Sequence, residues 1–283
     1  MLKRFSGFVL ICSTLFAFSA CKKASAPTVP DTVPGPVAKP PGNPNSNPNT
    51  GTPNTQALDS SLPNPPTQKP LFANTVAVAT IRTANLESLK QIGLGLLNFH
   101  DTYQGLPIGI ADKSGKIGLS WRVAILPFIE QNALYQEFHL DEPWDSEHNK
   151  RLISKMPKLY APARTDTFGY TFYRSFSGNN TVMPPPAQPL AAGKPGVGAS
   201  MASISDGTSN TLFVAEAYDP VIWTKPDAPF TPGSSPKLGG GVFSNGFCAL
   251  FGDNNARFLP MGLPEADLSS LILTNDGKVV ILP

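Results

Sequence analysis

Residues 85–107 read NLESLKQIGLGLLNFHDTYQGLP, and their spacing sets the fold. Leu86, Leu89, Ile92, Leu96, Phe99 and Tyr103 recur every three or four positions, which aligns them on one face of an α-helix. Asn85 is a residue type that caps a helix start, and Gly105 with Pro107 supplies the end. Gly93 and Gly95 each cost such a helix about 1 kcal/mol relative to alanine, so they mark close approach of another element. The preceding apolar stretch, residues 71–81, suits a backward extension of the helix or a strand; extension is the expectation. The stretch closes on His100-Asp101, and packing at a helix end is the expected role of that pair.

Working outward, LSWRVAILPFIEQNALYQEF (119–138) follows a short glycine-rich turn. Ser120 can cap a short helix, and Pro127 suits the first turn of another. Trp121, Ile125, Phe128, Ile129, Leu134, Tyr135 and Phe138 supply apolar surface. Residues 141–162 give a turn, a helix capped by Asp145 or Ser146, and a strand near Leu159. FGYTFYRSF (168–176) alternates as a strand does. Residues 182–199 read as a Pro/Gly/Ala loop. Residues 201–218 read as strand, turn at Asp206-Gly207, strand. FSNGFCALFGDNNARFLP (243–260) is a hairpin turning at Asp253-Asn254-Asn255. The last stretch, 265–283, gives a helix, a turn at Asn275-Asp276-Gly277 and a terminal strand. Helices first and strands later indicate an α+β domain with an antiparallel sheet.

The N-terminus points to a compartment. Lys3 and Arg4 precede an apolar run from Phe8 to Phe18, then Ser19, Ala20 and Cys21. Basic, apolar, small is the order of a secretory signal peptide, and the run is short for a bilayer span. With Cys21 next, the segment resembles a bacterial lipobox, with Phe18 where Leu is usual. The resemblance implies cleavage before Cys21 and acylation of its thiol and amine; an ordinary signal peptide with a chance cysteine is the alternative. Each buried CH₂ of such an anchor contributes about 0.8 kcal/mol. Thirteen of the 31 prolines lie between Cys21 and Pro70, in a stretch with almost no large apolar residue. Such a segment cannot recover the cost of ordering itself. Fully extended it would reach roughly 150 Å, and as a coil about 40 Å. Residues 1–20 are thus expected to be a lipoprotein signal peptide, 21–71 a Pro/Asn/Thr-rich tether and 72–283 the folded domain. Lys and Arg total 22 against 20 acidic residues; loss of Lys3 and Arg4 leaves 20 of each. No basic face for nucleic acid follows from that balance. Once Cys12 leaves and Cys21 is acylated, Cys248 stands alone, in an apolar run that suits a buried inert thiol.

Candidate chemistry is sparse. His100, His139 and His148, with Asp101, Asp141, Asp145 and Glu147 nearby, fit no zinc signature. Their expected roles are structural, His100 at a helix end and His148 at a helix start, and no catalytic residue, cofactor or metal ligand is assigned. Residues Ser205 to Asn210 read SDGTSN. They suggest a nucleophile or an anion nest, and a tight turn whose side chains satisfy local backbone explains them without chemistry. Glu216 is a carboxylate with no evident partner. Trp121, Trp144 and Trp223 could form a stacking platform, with Trp144 the best candidate for exposure.

Four segments in order, Leu86–Pro107, Ser120–Gln131, Leu140–Asn149 and Asp206–Leu212, are similar to those of the DUF1559 proteins, which are abundant in planctomycete-type bacteria and also carry a solute-binding label. The resemblance covers nearly all of the chain after residue 75. Many members begin with a prepilin-like membrane helix, which implies a pilin-like plan of one long N-terminal helix packed on an antiparallel sheet, with additional short helices. This chain departs by using a lipid and a spacer. It also has Ala161-Pro162 where the family often has Cys-Pro, Phe243 at a signature His position, and Asp253-Asn254 in place of Asp-Gly. The expected role is a non-enzymatic interaction or scaffolding function in a lipid-anchored envelope protein, periplasm-facing or surface-exposed, on the outer membrane by preference. Its partners would be the membrane, through Cys21, and envelope proteins. A solute-binding protein is the first alternative and a hydrolase the second.

Overall fold

The first element, α1, runs Val76–Tyr103, or about 42 Å at 1.5 Å per residue. In this computed structural model the described residues are 62–66, 76–163, 168–231 and 237–282. The signal peptide, Cys21 and most of the tether lie outside them. Leu89, Ile92, Leu96 and Phe99 are fully buried on one face, as their spacing requires. Leu86 is only half-buried and Tyr103 is exposed. Asn85 is not a cap. The helix starts nine residues earlier and Asn85 is buried inside it, its amide turned inward to partners described below. At the other end Gln104, not Gly105, takes the left-handed conformation (φ 62°), and its N–H returns to His100 O. Both helix glycines do mark close approach. A Cβ on Gly93 would lie 2.0 Å from Asn254 Oδ1, and one on Gly95 would lie 2.6 Å from Ile129 Cγ2.

The chain continues as β1 (Pro107–Ala111), β2 (Ile117–Leu119), α2 (Trp121–Ala124), α3 (Asn132–Glu137), α4 (Glu147–Lys150), β3 (Tyr170–Arg174), β4 (Pro195–Val197), β5 (Leu212–Ile222), β6 (Gly246–Phe251), β7 (Ala256–Pro260) and α5 (Glu265–Ile272). Among the described residues the strands form two antiparallel sheets, a small one ordered β2-β1-β4 and a larger one ordered β3-β5-β6-β7. In the larger sheet β6 is buried along its whole length. Cys248 and Leu250 face the cluster built with α1, while Phe247, Ala249 and Phe251 face a second cluster built with Leu268, Leu271 and Ile272 of α5. Helices on both faces explain why GFCALF is continuously apolar rather than alternating. A bulge between Leu212 and Val214 sends both Phe213 and Val214 to the α1 side.

The expectation of a long N-terminal helix on antiparallel strands, with short helices added, describes this architecture; several local readings differ. The glycine-rich turn before Ser120 is the β1–β2 hairpin. Gly109 has φ 124° and a Cβ there would meet Leu119 O at 2.4 Å, so the strands touch through a position only glycine fills. The 182–199 loop contains β4, which pairs with β1. The strand expected near Leu159 is a 3₁₀ turn, Lys158–Tyr160, and Met201–Ser203 is another; at three residues apiece neither can carry a ladder. The terminal strand does not form among the described residues, because its backbone is bonded to side chains instead. Ser146 does cap α4, its hydroxyl accepting from Asn149 N–H, whereas Ser120 before α2 makes no such bond. Leu62 and Tyr170 pack against the main core, and Tyr170 Oη donates to Pro63 O at 2.9 Å.

Gly95→Val should lower stability by about 2 kcal/mol through overpacking against Ile129, measured by reversible denaturant unfolding. Gln104→Gly should raise it by about 0.5–1 kcal/mol, since the left-handed backbone costs a side chain.

Candidate functional site

The short helix α2 is anchored at its start by the backbone of the β5 end: Ser120 N–H donates to Thr224 O and Ser120 Oγ to Trp223 O. This seats Trp121 and Arg122 against β3. The Arg122 side chain has no exposed surface. Its Nε and Nη2 donate to Tyr173 O, and Nη2 also reaches both Asp227 oxygens at 2.9 Å. Asp227, 3% exposed, accepts as well from Trp121 Nε1 (2.9 Å), Arg174 Nε (3.1 Å) and Ser175 N–H (3.1 Å). Burial alone would push its carboxyl up; Arg122, Arg174 and the N–H donors outweigh that and hold it below the ordinary range. A carboxylate with this many donors is committed as an acceptor and is a poor general base. Arg122 Nη1 has no hydrogen-bond partner among the described residues.

Asp227 belongs to the segment Pro226–Thr231, which walls two hollows. A cleft of about 660 Å³ lies between it, the β1–β2 hairpin (Ile108, Ile117), Trp121 and the prolines 184–186. That size is within the usual range for small-molecule sites, roughly 300–1,000 Å³. A second pocket of about 220 Å³ shares Pro229 and Phe230 with it and is lined by Arg174.

A second buried carboxylate stands on the α1 face of the large sheet. Glu216 lies within β5 and is 1% exposed. Its Oε1 accepts from Asn85 Nδ2 and its Oε2 from Cys248 N–H, both at 2.8 Å. Asn85 Oδ1 in turn accepts from Ala163 N–H at 2.7 Å. Burial pushes the Glu216 carboxyl up to about 7 against the pull of these donors. The buried Cys248 thiol is pushed far up by its own burial and by Glu216, away from the thiolate form that attacks as a nucleophile.

The residues singled out from sequence are dispersed. His100 Nε2 accepts from Met201 N–H at 3.1 Å, which joins the end of α1 to the 3₁₀ turn before β5; Asp101 is largely exposed beside it. His139 and His148 come together, stacked at 3.5 Å with rings 4° apart. His148 Nε2 contacts Glu137 O and His139 Nδ1 lies 3.3 Å from Glu142. Among the described residues no three His, Cys, Asp or Glu side chains converge to hold a metal ion. The Ser205–Asn210 stretch is a turn, but its side chains serve distant backbone rather than local groups. Asp206 accepts from the N–H groups of Asp276 and Gly277, and Asn210 brackets the tail through Lys278 O and Val280 N–H. The tryptophans form no platform. Trp121 and Trp223 are buried, Trp223 Nε1 donates to Ile153 O, and Trp144 is half-buried with Lys225 over its ring. Phe243, at the signature His position, is buried with Arg82 near its ring. Asn254, in the altered turn, is the residue packed on Gly93.

Arg122, Arg174, Asp227 and Asn85 escaped sequence reasoning as site residues. Arg122 carries one signal, a lone cation inside the apolar run SWRVAIL; Asp227, in a proline-rich loop, carries none. Among the described residues no helix is long and apolar enough to cross a membrane. The family described as protein of unknown function DUF1559, whose model bears the name SBP_bac_10, matches residues 84–255, more than half of the 283. The chain belongs to the DUF1559 family. The match begins one residue before Asn85 and ends at the β6–β7 turn, so it includes both buried carboxylates of this DUF1559 domain. No curated protein and no solved structure matches the chain.

Asp227→Ala should cost about 3–5 kcal/mol, because it strands a buried guanidinium. The double variant Arg122→Met/Asp227→Ala should cost less than the two single losses added, read from a denaturant double-mutant cycle. For Glu216 the folded pKa lies above the unfolded value of 4.5. The folded state therefore binds the extra proton, and its stabilising effect is complete below about 4.5 and lost as pH rises to about 7. The unfolding midpoint of the wild type should fall across that window, by the equivalent of about 3 kcal/mol. Glu216→Gln should remove that slope.

Proposed function

We propose that this chain is a lipid-anchored envelope protein whose domain acts by binding and not by catalysis, held off the membrane by the Pro/Asn/Thr-rich tether. One observation supports the non-enzymatic reading above others: the groups that sequence offered for chemistry are engaged by the fold's own backbone. His100, Asp206, Asn210 and Glu216 each hold a segment remote in sequence. The N-terminal order of basic pair, apolar run, small residues and Cys21 supports the anchor, and Lys22 and Lys23 favour a membrane surface next to it. Partners would be other envelope proteins reached across the length of the tether.

A second reading, capture of a small solute, is favoured by the cleft of about 660 Å³ beside Trp121 and Phe230. Its mixture of apolar walls with Ser177, Asn179, Asn180 and Thr231 suits a neutral, part-apolar ligand.

Cys21→Ser should move the protein from the membrane fraction to the soluble fraction, and the intact mass of the wild type should lack residues 1–20 and carry acyl chains. Persistence of the variant in the membrane fraction would refute the anchor. Cross-linking in intact envelope should capture a protein partner with the full tether and lose it when residues 24–60 are deleted. A thermal upshift with a neutral small molecule, abolished by Trp121→Ala in a variant that still folds, would favour the solute reading instead.

A further inference from the structure

The smaller pocket, of about 220 Å³, holds a cation arranged for an anion. Arg174 Nε donates to Asp227 Oδ1 at 3.1 Å, so that edge of the guanidinium is occupied. Among the described residues neither Nη group has a protein partner, and the side chain, 25% exposed, lines the pocket. The Nη1–Nη2 edge of arginine presents two parallel N–H donors, the geometry that matches a carboxylate bidentately. The tie to Asp227 fixes the plane of that fork in advance, so little rotamer entropy remains to be lost on binding.

The local charge also wants completion. Arg122 and Arg174 share the single carboxylate of Asp227, which leaves one positive charge at the pocket floor. Lys237 and Asp219, one of each sign, stand among the lining residues and are exposed, and they offset each other. The remaining wall is apolar. Phe176 and Phe230 meet edge to face at 6.3 Å, and Leu238 is buried beside them. An apolar cavity of about 150 Å³ accepts a benzene ring; this pocket has space for such a ring with a carboxylate attached, and little more.

We propose that the pocket binds a small carboxylate with an aromatic or branched apolar body, its two oxygens on Arg174 Nη1 and Nη2 and its body against Phe230 and Leu238. The inference goes beyond the anchored binding role and depends on neither the lipid nor the larger cleft.

Saturation-transfer NMR and calorimetry on the full chain, with phenylacetate and phenylacetamide as probes, test it. Phenylacetate should bind and the isosteric amide should not. Arg174→Lys keeps the charge beside Asp227 but loses the fork, and should weaken phenylacetate about tenfold or more. Lys90→Met, on the exposed side of α1 and not among the residues that line the pocket, should leave the affinity within about threefold. Far-UV circular dichroism and the unfolding midpoint verify that the variants fold. If Arg174→Lys does not fold, the acid-against-amide comparison on the wild type decides alone. Equal binding of acid and amide, no binding of phenylacetate, or an unchanged affinity in a folded Arg174→Lys would overturn the proposal. None of these outcomes bears on membrane attachment, which Cys21→Ser reports separately.

Discussion

A single buried carboxylate organises the half of the domain that carries the hollows. Asp227 gathers Trp121 and Arg122 from α2, Arg174 and Ser175 from the end of β3, and its own proline-flanked loop. More than a hundred residues separate Arg122 from Asp227, so the contact closes a long loop. Taking a guanidinium and a carboxylate out of water is expensive. The pair is tolerable because the carboxylate is fully engaged by donors and the guanidinium donates from Nε and Nη2, with Nη1 left unpartnered among the described residues. Tyr173 O takes the Nε proton that Asp227 does not reach, and shares Nη2 with it. The consequence for function is geometric. The loop that Asp227 pins, Pro226–Thr231, is the shared wall of the cleft and the pocket, so both hollows inherit their shape from that contact.

Glu216 does a comparable service for the long helix. An apolar residue in its place would pack α1 against the sheet at least as well. A carboxylate instead demands that Asn85 stand opposite it, with Cys248 N–H on the other side. Sliding α1 by one residue would leave the carboxylate buried and half-paired, at a cost of several kcal/mol. The polar contact therefore specifies the register of a helix whose apolar stripe alone would tolerate slippage. Gly93 and Gly95 add a steric lock, since Asn254 and Ile129 occupy the space their side chains would take. The two devices together explain why an energetically unfavourable glycine pair persists in the middle of a 28-residue helix.

Elements with a strong local signature were legible in the sequence. The helix period from Leu89 to Phe99, the strand in FGYTFYRSF, the Asp253-Asn254-Asn255 turn and the Ser146 cap all have signals within a few residues. Readings that failed did so where distant groups intervene. Asn85 has the composition of a cap, but Glu216 claims its amide. Ser120 has the same look, and Trp223 O claims its hydroxyl. The tail KVVILP has strand propensity, but Asn210 holds its backbone at Lys278 and Val280, Asp206 holds the turn before it at Asp276 and Gly277, and Ile281 is left 94% exposed. Short strands of three to five residues, such as β1, β2 and β4, carry too few positions for alternation to emerge.

Sequence by itself determined the class of the domain, the long helix and its buried face, the hairpin of β6 and β7, and membership in a family through four ordered segments. Those follow from periodicity and turn chemistry, which act locally. Only the tertiary structure decided what the polar residues do. It turned the histidines, the SDGTSN stretch and Glu216 into supports, and it promoted Arg122, Arg174 and Asp227 to the centre of the candidate site. A charge in a sequence carries no label for its partner; burial makes an unpaired charge intolerable, and only the folded chain shows which groups meet to satisfy it.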